Sequence, residues 1–508
     1  MSSFQLTSII LFLFFATQVL AVPHYSMNTH NSPETNPNIE WRTCKENDPP
    51  NLQCGQIKVP INHEAPHGGH FNLGFARLKS KNTSAIGNLI YNPGGPGGAG
   101  SAEVFAQAFL NVSIWTPELL AHYDIIGLDP RGTGLSNAMK CDPNTWNKRV
   151  SSTPKNEDEF NKLVAYNKAF GESCRNLTGP VFDFMDTESA AKDMDLVRRA
   201  LGEEKLTFYG QSYGSQLGST YAGLFPKNVG RMVLDGVMDP SQSSVAQVVM
   251  ESNNGYETTL NKFFQWCNTT VECVLNGQDV AGIFDKMIAT AESNPIPAPG
   301  CTPEGDEACR SDATSEEILA QVQIGLLGFS ASPVFLGWPA LSGAIAQAAQ
   351  GNATLLSRPI KNTPSHPDFS FLGVGCKDWI ATSKSYIDLA LIRQMTGILS
   401  PHSRGNSQFY QIQSSCIGWP SPPTNNPHTL DPKKVAHSPP ILLVNSFWDP
   451  STPISSANAL KTKIPNSVLI LRNGSGHTSY LTFGKTTEAI DAFFVKGILP
   501  AQGTTFAS

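Results

Sequence analysis

The sequence predicts an α/β protein whose mostly parallel central sheet is interrupted by a large, mainly helical inserted cap. Three observations predict it. Between about residues 87 and 237, short apolar runs alternate with helix-like text: NLIYN, HYDIIGLDP, KLTFYG and RMVLDGV, with SAAKDMDLVRRAL as a long amphipathic helix between the second and third. From about Asp239 to Ser438 the text becomes mostly helical and is broken by prolines. Strand-like runs then resume at ILLVNSF and SVLILRN, followed by a final helix around EAIDAFFVKGI. Continuous apolar runs of this kind suit strands that are covered on both faces, as in a parallel sheet.

Taken in order, the chain opens with MSSFQLTSIILFLFFATQVLA, in which an apolar run from Ile9 to Phe15 precedes small residues at Val19 and Ala21. This reads as a signal peptide over residues 1–21, cleaved after Ala21, although its start carries no Lys or Arg. The run is shorter than the roughly 20 residues that span a bilayer, so no membrane anchor is expected. Residues 22–240 then form the first part of the core, 241–438 the cap insertion and 439–508 the second part of the core. Near the start, QIKVPINHEAPHGGHFNLGFARL reads as two strands joined through Pro66, Gly68 and Gly69. His63, His67 and His70 fall in this turn, and they read as exposed hairpin histidines rather than metal ligands, because turn residues argue against a shared helix face. Within the insertion, Thr314 and Glu317 form a capping box at the start of TSEEILAQVQIGLL.

Composition limits the function classes. With 508 residues, 40% hydrophobic and 15% charged, the chain can bury a large core. A net charge of −6 without Lys/Arg clusters gives no footprint for nucleic acid or anionic membranes. The 10 cysteines (Cys44, Cys54, Cys141, Cys174, Cys267, Cys273, Cys301, Cys309, Cys376 and Cys416) contain no CxxC spacing, so zinc is not supported and disulfides are expected in an exported chain. Pairing of sequential neighbours would close five modest loops, with other connectivities left open. Sequons at Asn82, Asn111, Asn176, Asn268, Asn352 and Asn473 agree with a secreted, extracellular protein.

The stretch NPGGPGGAG contains GPGGAG, a GxGxxG from Gly95 to Gly100. A dinucleotide site needs an acidic residue about 20 positions further on, at the end of the next strand. Glu118 lies in the helix-like TPELLAHY, and Asp129 is too distant. A phosphate loop also fails, because Ser101 and Ala102 follow Gly100. No nucleotide, metal or organic cofactor is expected. KLTFYGQSYGS offers another reading: Gly210, Gln211, Ser212, Tyr213 and Gly214 form GxSxG after a strand and before a helix. This is a nucleophile elbow, and Gly214, Gly218 and Ala222 keep the following helix small enough to pack closely on the sheet.

A serine hydroxyl needs a base, a carboxylate to orient that base, and donors for the oxyanion. In such a sheet the order along the chain is Ser, then acid, then His. Asp449 ends the strand ILLVNSFWDP, and His477 sits in the loop after SVLILRN, both at the carboxyl ends of strands. Asp235 and Asp239 are rival acids, and Asp449 could also serve only as a helix N-cap. The glycine loop then supplies an oxyanion donor: the pair expected is the backbone N–H of Gly95 and of Tyr213.

At these residues the sequence resembles the alpha/beta hydrolase superfamily, and more narrowly the secreted tripeptidyl-aminopeptidase-like group allied with prolyl aminopeptidases. The resemblance covers YNPGGPGGAGS, DIIGLDPRGTGLS, the region from DMDLVRRALGEEKLTFYGQSYGS to LDGVMDP, GWPALSGAIAQAAQGN, GVGCKDW, and the acid and histidine loops. It implies the alpha/beta hydrolase fold, Ser212 as nucleophile, Asp449 as acid, His477 as base, and Gly95 with Tyr213 as oxyanion donors. It gives Asp129 and Arg131 of DPRGTGLS a structural role. The implied activity is release of short peptides or residues from free amino termini, with a secreted carboxylesterase acting on small esters as the alternative. A peptidase of this kind pairs the substrate ammonium with a carboxylate, because an unpaired buried charge is costly. Glu251, Glu257 and Asp378 in the cap are the candidates.

Overall fold

The computed structural model describes residues 38–507 apart from 83–84, 111, 306–307, 330–336 and 425–427. The expected signal peptide and the Asn111 sequon lie outside the described residues.

Twelve strands are described: β1 (Glu40–Arg42), β2 (Leu52–Pro60), β3 (His70–Leu78), β4 (Gly87–Asn92), β5 (Tyr123–Leu128), β6 (Leu206–Gln211), β7 (Val229–Asp235), β8 (Ile296–Pro297), β9 (Asp312–Ala313), β10 (Ile441–Trp448), β11 (Val468–Ser475) and β12 (Thr505–Ala507). Ten of them form one sheet in the order β1-β2-β3-β5-β4-β6-β7-β10-β11-β12. The β1, β2 and β3 end is antiparallel, and every pairing from β5 through β12 is parallel. Strands β8 and β9 form a separate small ribbon.

The pleat sends alternate residues of each central strand to opposite covered faces. Ile90, Phe208, Met232, Leu234, Leu443 and Leu469 enter one core with Met194, Leu217 and Leu460 from the helices Thr187–Ala200, Tyr213–Leu224 and Ile454–Lys463. Leu89, Tyr91, Tyr209, Val233, Leu442 and Ile470 enter the other, with Val104 and Phe494 from the helices Gly100–Phe109 and Lys485–Lys496. This two-sided burial explains why the strands read as unbroken apolar runs.

Between β7 and β10 the chain forms a mainly helical insertion with a core of its own, which includes Phe263, Phe284, Val322, Trp338 and Ile345. The helix Ser315–Leu327 opens with the expected box, in which the Thr314 side chain and Glu317 bond reciprocally. The cysteines pair with their sequential neighbours: Cys44–Cys54, Cys141–Cys174, Cys267–Cys273, Cys301–Cys309 and Cys376–Cys416.

Two features depart from the sequence reading. The helix Glu157–Thr178, 22 residues capped by Asn156, precedes Thr187–Ala200, and its polar text hides a narrow stripe of Phe160, Leu163, Asn167 and Phe170. His63 is not an exposed hairpin residue. Its Nε2 lies 2.8 Å from Asp193 Oδ1, and Asp193 also accepts both Nε and Nη2 of the buried Arg131 at 2.8 Å. Arg131 donates further to the carbonyls of Ile61, Phe184 and Pro60, so it ties the hairpin turn to the sheet.

Candidate active site

Five consecutive strands of the sheet, β4, β6, β7, β10 and β11, are parallel, so the loops after them emerge side by side at one edge. Those loops carry Gly95, Ser212, Asp449 and His477, and Asp235 is the last residue of β7 at the same edge. Topology therefore gathers residues that are separated by as many as 382 positions, the interval from 95 to 477.

Ser212 occupies the single-residue turn between β6 and the helix Tyr213–Leu224, at φ 57° and ψ −122°. A non-glycine residue rarely adopts this conformation, which costs on the order of 1–3 kcal/mol and persists only where neighbours enforce it. Here they do. The Ser212 N–H donates to the Asp235 carbonyl at 2.8 Å, and its own carbonyl accepts the N–H and the hydroxyl of Ser215 at 2.8 and 2.6 Å. Tyr213 is the first residue of the helix, where a backbone N–H has no partner within the helix.

The glycine loop presses against this turn. Gly94 has φ +93°, and a Cβ there would stand 2.8 Å from the Ser212 Cβ and 3.1 Å from the Tyr213 nitrogen. Only glycine lets the two turns approach so closely. The loop is braced by Gly94 N–H donating to Asn92 Oδ1 at 3.1 Å and Gly98 N–H donating to the Gly94 carbonyl at 3.0 Å. Asp129 anchors its far end by accepting the Ser101 N–H and hydroxyl at 2.9 and 2.6 Å. Burial pushes the Asp129 carboxyl up to about 6 even though these bonds favour its ionised form.

His477 and Asp449 form a tight pair: Nδ1 lies 2.9 and 2.8 Å from the two carboxylate oxygens. Asp449 is 1% exposed and also accepts the N–H groups of Ser451 and Thr452 and the Thr452 hydroxyl, at 2.9, 2.8 and 2.9 Å. Burial alone would raise its pKa, but the facing imidazole and these bonds hold it below the usual carboxylate range. Burial likewise pulls the His477 pKa down, and the Asp449 carboxylate overcomes this and holds it above 6.5. The bond to Asp449 uses Nδ1, which leaves Nε2 as the nitrogen able to accept a proton.

The histidine loop is held by Arg472, which is buried and donates to the carbonyls of Ser475, Gly476 and Thr478. The rival acids are occupied elsewhere. Asp235 accepts the N–H groups of Ser479 and Tyr480 and the Tyr209 hydroxyl, so it joins the serine turn to the histidine loop without bonding the imidazole. Asp239 pairs with Lys463 at 2.6 Å. Asp449 is not the cap of the following helix Ile454–Lys463, whose N-cap is Pro453.

The three insertion carboxylates separate by environment. Glu257 is buried and accepts the backbone N–H groups of His402 and Ser403 at 3.0 and 2.9 Å. Asp378 is 0% exposed and bonds Thr187. Glu251 alone of the three lines an open cleft, with Met238, Ser252, Trp379, Phe409 and Thr452. The amides of Gln242 and Gln247 donate to it at 2.7 and 3.2 Å. The Ser252 hydroxyl is buried and has no partner among the described residues. Gly255, one helical turn or about 6 Å further along the same helix, packs on the Asp449 carbonyl.

No reading of the sequence pointed to Thr452, Arg472 or Asp235 as supports of the site. The one available signal was position: Asp235 is the last residue of β7, and Thr452 lies in the loop after β10.

A parallel sheet with a strained serine elbow after β6 and a His–Asp pair on the loops after β10 and β11 defines a serine hydrolase of the alpha/beta hydrolase fold. Residues 87–304 match the family described as alpha/beta hydrolase fold, and residues 401–506 match the family described as TAP-like protein. The chain is 28% identical to the tripeptidyl aminopeptidase of Streptomyces lividans over 494 residues, covering 92% of this chain and 86% of that one. It is 27% identical to the serine protease Hip1 of Mycobacterium tuberculosis over 492 residues, covering 92% and 90%, and 27% identical to carboxylesterase B of the same species over 510 residues, covering 93% and 90%. The chain has the alpha/beta hydrolase fold, carries a TAP-like match in its last part, and is similar over most of its length to tripeptidyl aminopeptidases.

Proposed function

We propose that the protein is a secreted exopeptidase that releases short peptides or residues from free amino termini through an acyl-enzyme. The observation that carries the reading is the His477–Asp449 pair at 2.8 Å on the same sheet edge as a serine held at φ 57°. His477 Nε2 takes the Ser212 proton as Oγ attacks the scissile carbonyl, and Asp449 stabilises the imidazolium that forms. The oxyanion is received by the N–H groups of Gly95 and Tyr213. Collapse of the tetrahedral intermediate breaks the C–N bond, and His477 passes its proton to the leaving amine. Water then attacks the acyl-enzyme with the same base, the ester bond breaks and Ser212 recovers its proton.

The free-amine preference is assigned to Glu251, within the cap formed by residues 241–438. A substrate ammonium in a cleft walled by Trp379 and Phe409 needs a counter-charge, and Glu251 is the candidate carboxylate open to that cleft. Secretion is supported by the apolar leader of residues 1–21, by the five disulfides, and by the exposure of the sequon residues Asn82, Asn176, Asn268 and Asn473. Among the described residues no helix is long and apolar enough to cross a membrane.

The second reading, a carboxylesterase with the same serine, histidine and acid, is favoured by the similarity to carboxylesterase B. A tripeptide anilide with a free amine, its acetylated form and a short aryl ester separate the two. Strong cleavage of the free-amine anilide alone supports the exopeptidase, and ester hydrolysis alone supports the esterase. Ser212→Ala is expected to lower turnover by about 10⁶-fold, and retention of most activity overturns both.

A further inference from the structure

One helix of the insertion, Pro367–Asp378, touches both halves of the oxyanion site at its opposite ends. Its first turn lies on the glycine loop: a Cβ on Gly97 would stand 2.6 Å from the Pro367 carbonyl oxygen, 2.9 Å from the Phe371 nitrogen and 3.0 Å from the Ser370 Cβ. Ser370 also donates its hydroxyl to the Gly132 carbonyl at 2.7 Å, which fixes this turn to the loop that follows β5.

Its last residue, Asp378, reaches the other donor through a short chain. The carboxylate accepts the Thr187 N–H at 2.9 Å and the Thr187 hydroxyl. Thr187 Oγ1 lies 2.6 Å from the Tyr213 hydroxyl. Because a carboxylate only accepts, the proton order is set: Tyr213 donates to Thr187, and Thr187 donates to Asp378. Next along the chain, Trp379 meets the Tyr213 ring edge-on at 6.4 Å and donates its Nε1–H to Gln216 at 3.1 Å. These groups are buried, and the helix is tied down by the Cys376–Cys416 disulfide and by Lys377, which donates to Ser421 and to the Pro422 carbonyl.

We infer that the helix Pro367–Asp378 is a positioning element of the oxyanion hole, with Asp378 acting through Thr187 on Tyr213 and the Pro367–Phe371 turn acting through Gly97 on the Gly95 segment. A ridge of one rigid element sets the separation of two donors that come from different loops. The insertion is thereby coupled to the chemical step as well as to substrate binding. The inference rests on the acyl-enzyme reading, in which the Gly95 and Tyr213 N–H groups receive the oxyanion.

The test compares wild type with Asp378→Asn, Thr187→Ala, Thr187→Ser and Tyr213→Phe, with kcat expressed per active site titrated by a fluorophosphonate. Asn at 378 and Ala at 187 each break the chain of donors, and per-site kcat is expected to fall by about 10–100-fold, less than the roughly 10²–10³ for outright loss of a donor. KM should stay within about twofold, and affinity for a tripeptide boronate, which places an oxygen in the hole, should fall in parallel with kcat. Thr187→Ser keeps the hydroxyl and should restore both. Asp378→Asn combined with Tyr213→Phe should lose little more than the worse single change, because both interrupt one path. Unchanged per-site kcat in the variants, or fully additive losses, overturns the positioning role while wild-type labelling and boronate inhibition leave the acyl-enzyme reading intact. Absence of labelling and inhibition in wild type overturns that reading itself, and the inference with it.

Discussion

Asp449→Asn is the change whose consequence follows most directly from the geometry. Every group around the Asp449 carboxylate donates to it: His477 Nδ1 at 2.8 and 2.9 Å, the N–H groups of Ser451, Thr452 and Thr478 at 2.9, 2.8 and 3.3 Å, and the Thr452 hydroxyl at 2.9 Å. An asparagine presents one acceptor and two donors to this shell. Its nitrogen is tolerated best at the Oδ2 position, where the Thr452 hydroxyl can turn to accept and the Thr478 N–H is the most distant donor. That placement leaves His477 Nδ1 facing an N–H, which favours the tautomer with the proton on Nε2, the nitrogen that must receive the Ser212 proton. A wrong tautomer of this kind lowers kcat by about 10⁴, or roughly 5 kcal/mol of transition-state stabilisation. The imidazole also loses the charge that holds its pKa up, while the burial that lowers it remains. The acid limb of kcat/KM should therefore lie at lower pH in the variant than in wild type. Stability carries a second signature. A depressed carboxyl pKa contributes stability above the ordinary carboxylate range, and that contribution is lost as pH falls through the folded value. Wild type should lose this increment on acidification and the variant should not. The assay is kcat/KM for a free-amine tripeptide anilide from pH 4 to 9, with urea midpoints at pH 7 and pH 4. A variant within tenfold of wild type, or an acid limb that does not move, refutes the assignment of Asp449.

Gly94→Ala should lower kcat by at least about 10²-fold, because its Cβ would push the glycine loop off the serine turn at a position with φ +93°; Gly343→Ala, in a helix with open space at that position, should be neutral or slightly stabilising, and equal effects of the two would refute the argument. Glu251→Gln should raise KM for the free-amine anilide by about tenfold while leaving the acetylated anilide unchanged, and parallel effects on both substrates would remove Glu251 from amine recognition. Replacing Cys376 and Cys416 by alanine opens a loop of 40 residues and should cost about 4 kcal/mol by chain entropy. An unmoved urea midpoint would count against that estimate.

Much of this architecture was legible as text because it is encoded locally. The strand-glycine-helix rhythm, the GxSxG turn and the capping box at Thr314 each depend on residues within a few positions of one another. Side-chain period and backbone dihedral preference are properties of short segments, so a short segment can display them. The order Ser212, Asp449, His477 was equally readable, since a parallel sheet places successive strand ends on one edge. Pairing of neighbouring cysteines was one of several readings left open, and packing selected it.

Contacts between remote segments were not readable. His63 reads as a surface turn residue until Asp193, 130 positions away, is brought 2.8 Å from its ring. Glu251, Glu257 and Asp378 are alike in composition and differ in what surrounds them: an open cleft, two backbone N–H groups, a buried threonine. Asp235 and Asp239 compete with Asp449 on the page, and the direction each carboxylate faces separates them. The helix Pro367–Asp378 carries no motif, and its place against both Gly97 and Tyr213 emerges only when the insertion closes over the sheet. Dihedral preference and hydrophobic period act within a segment and leave their mark on its residues. Burial, counter-charge and the direction of a hydrogen bond belong to pairs of segments, and they exist only once the whole chain has packed.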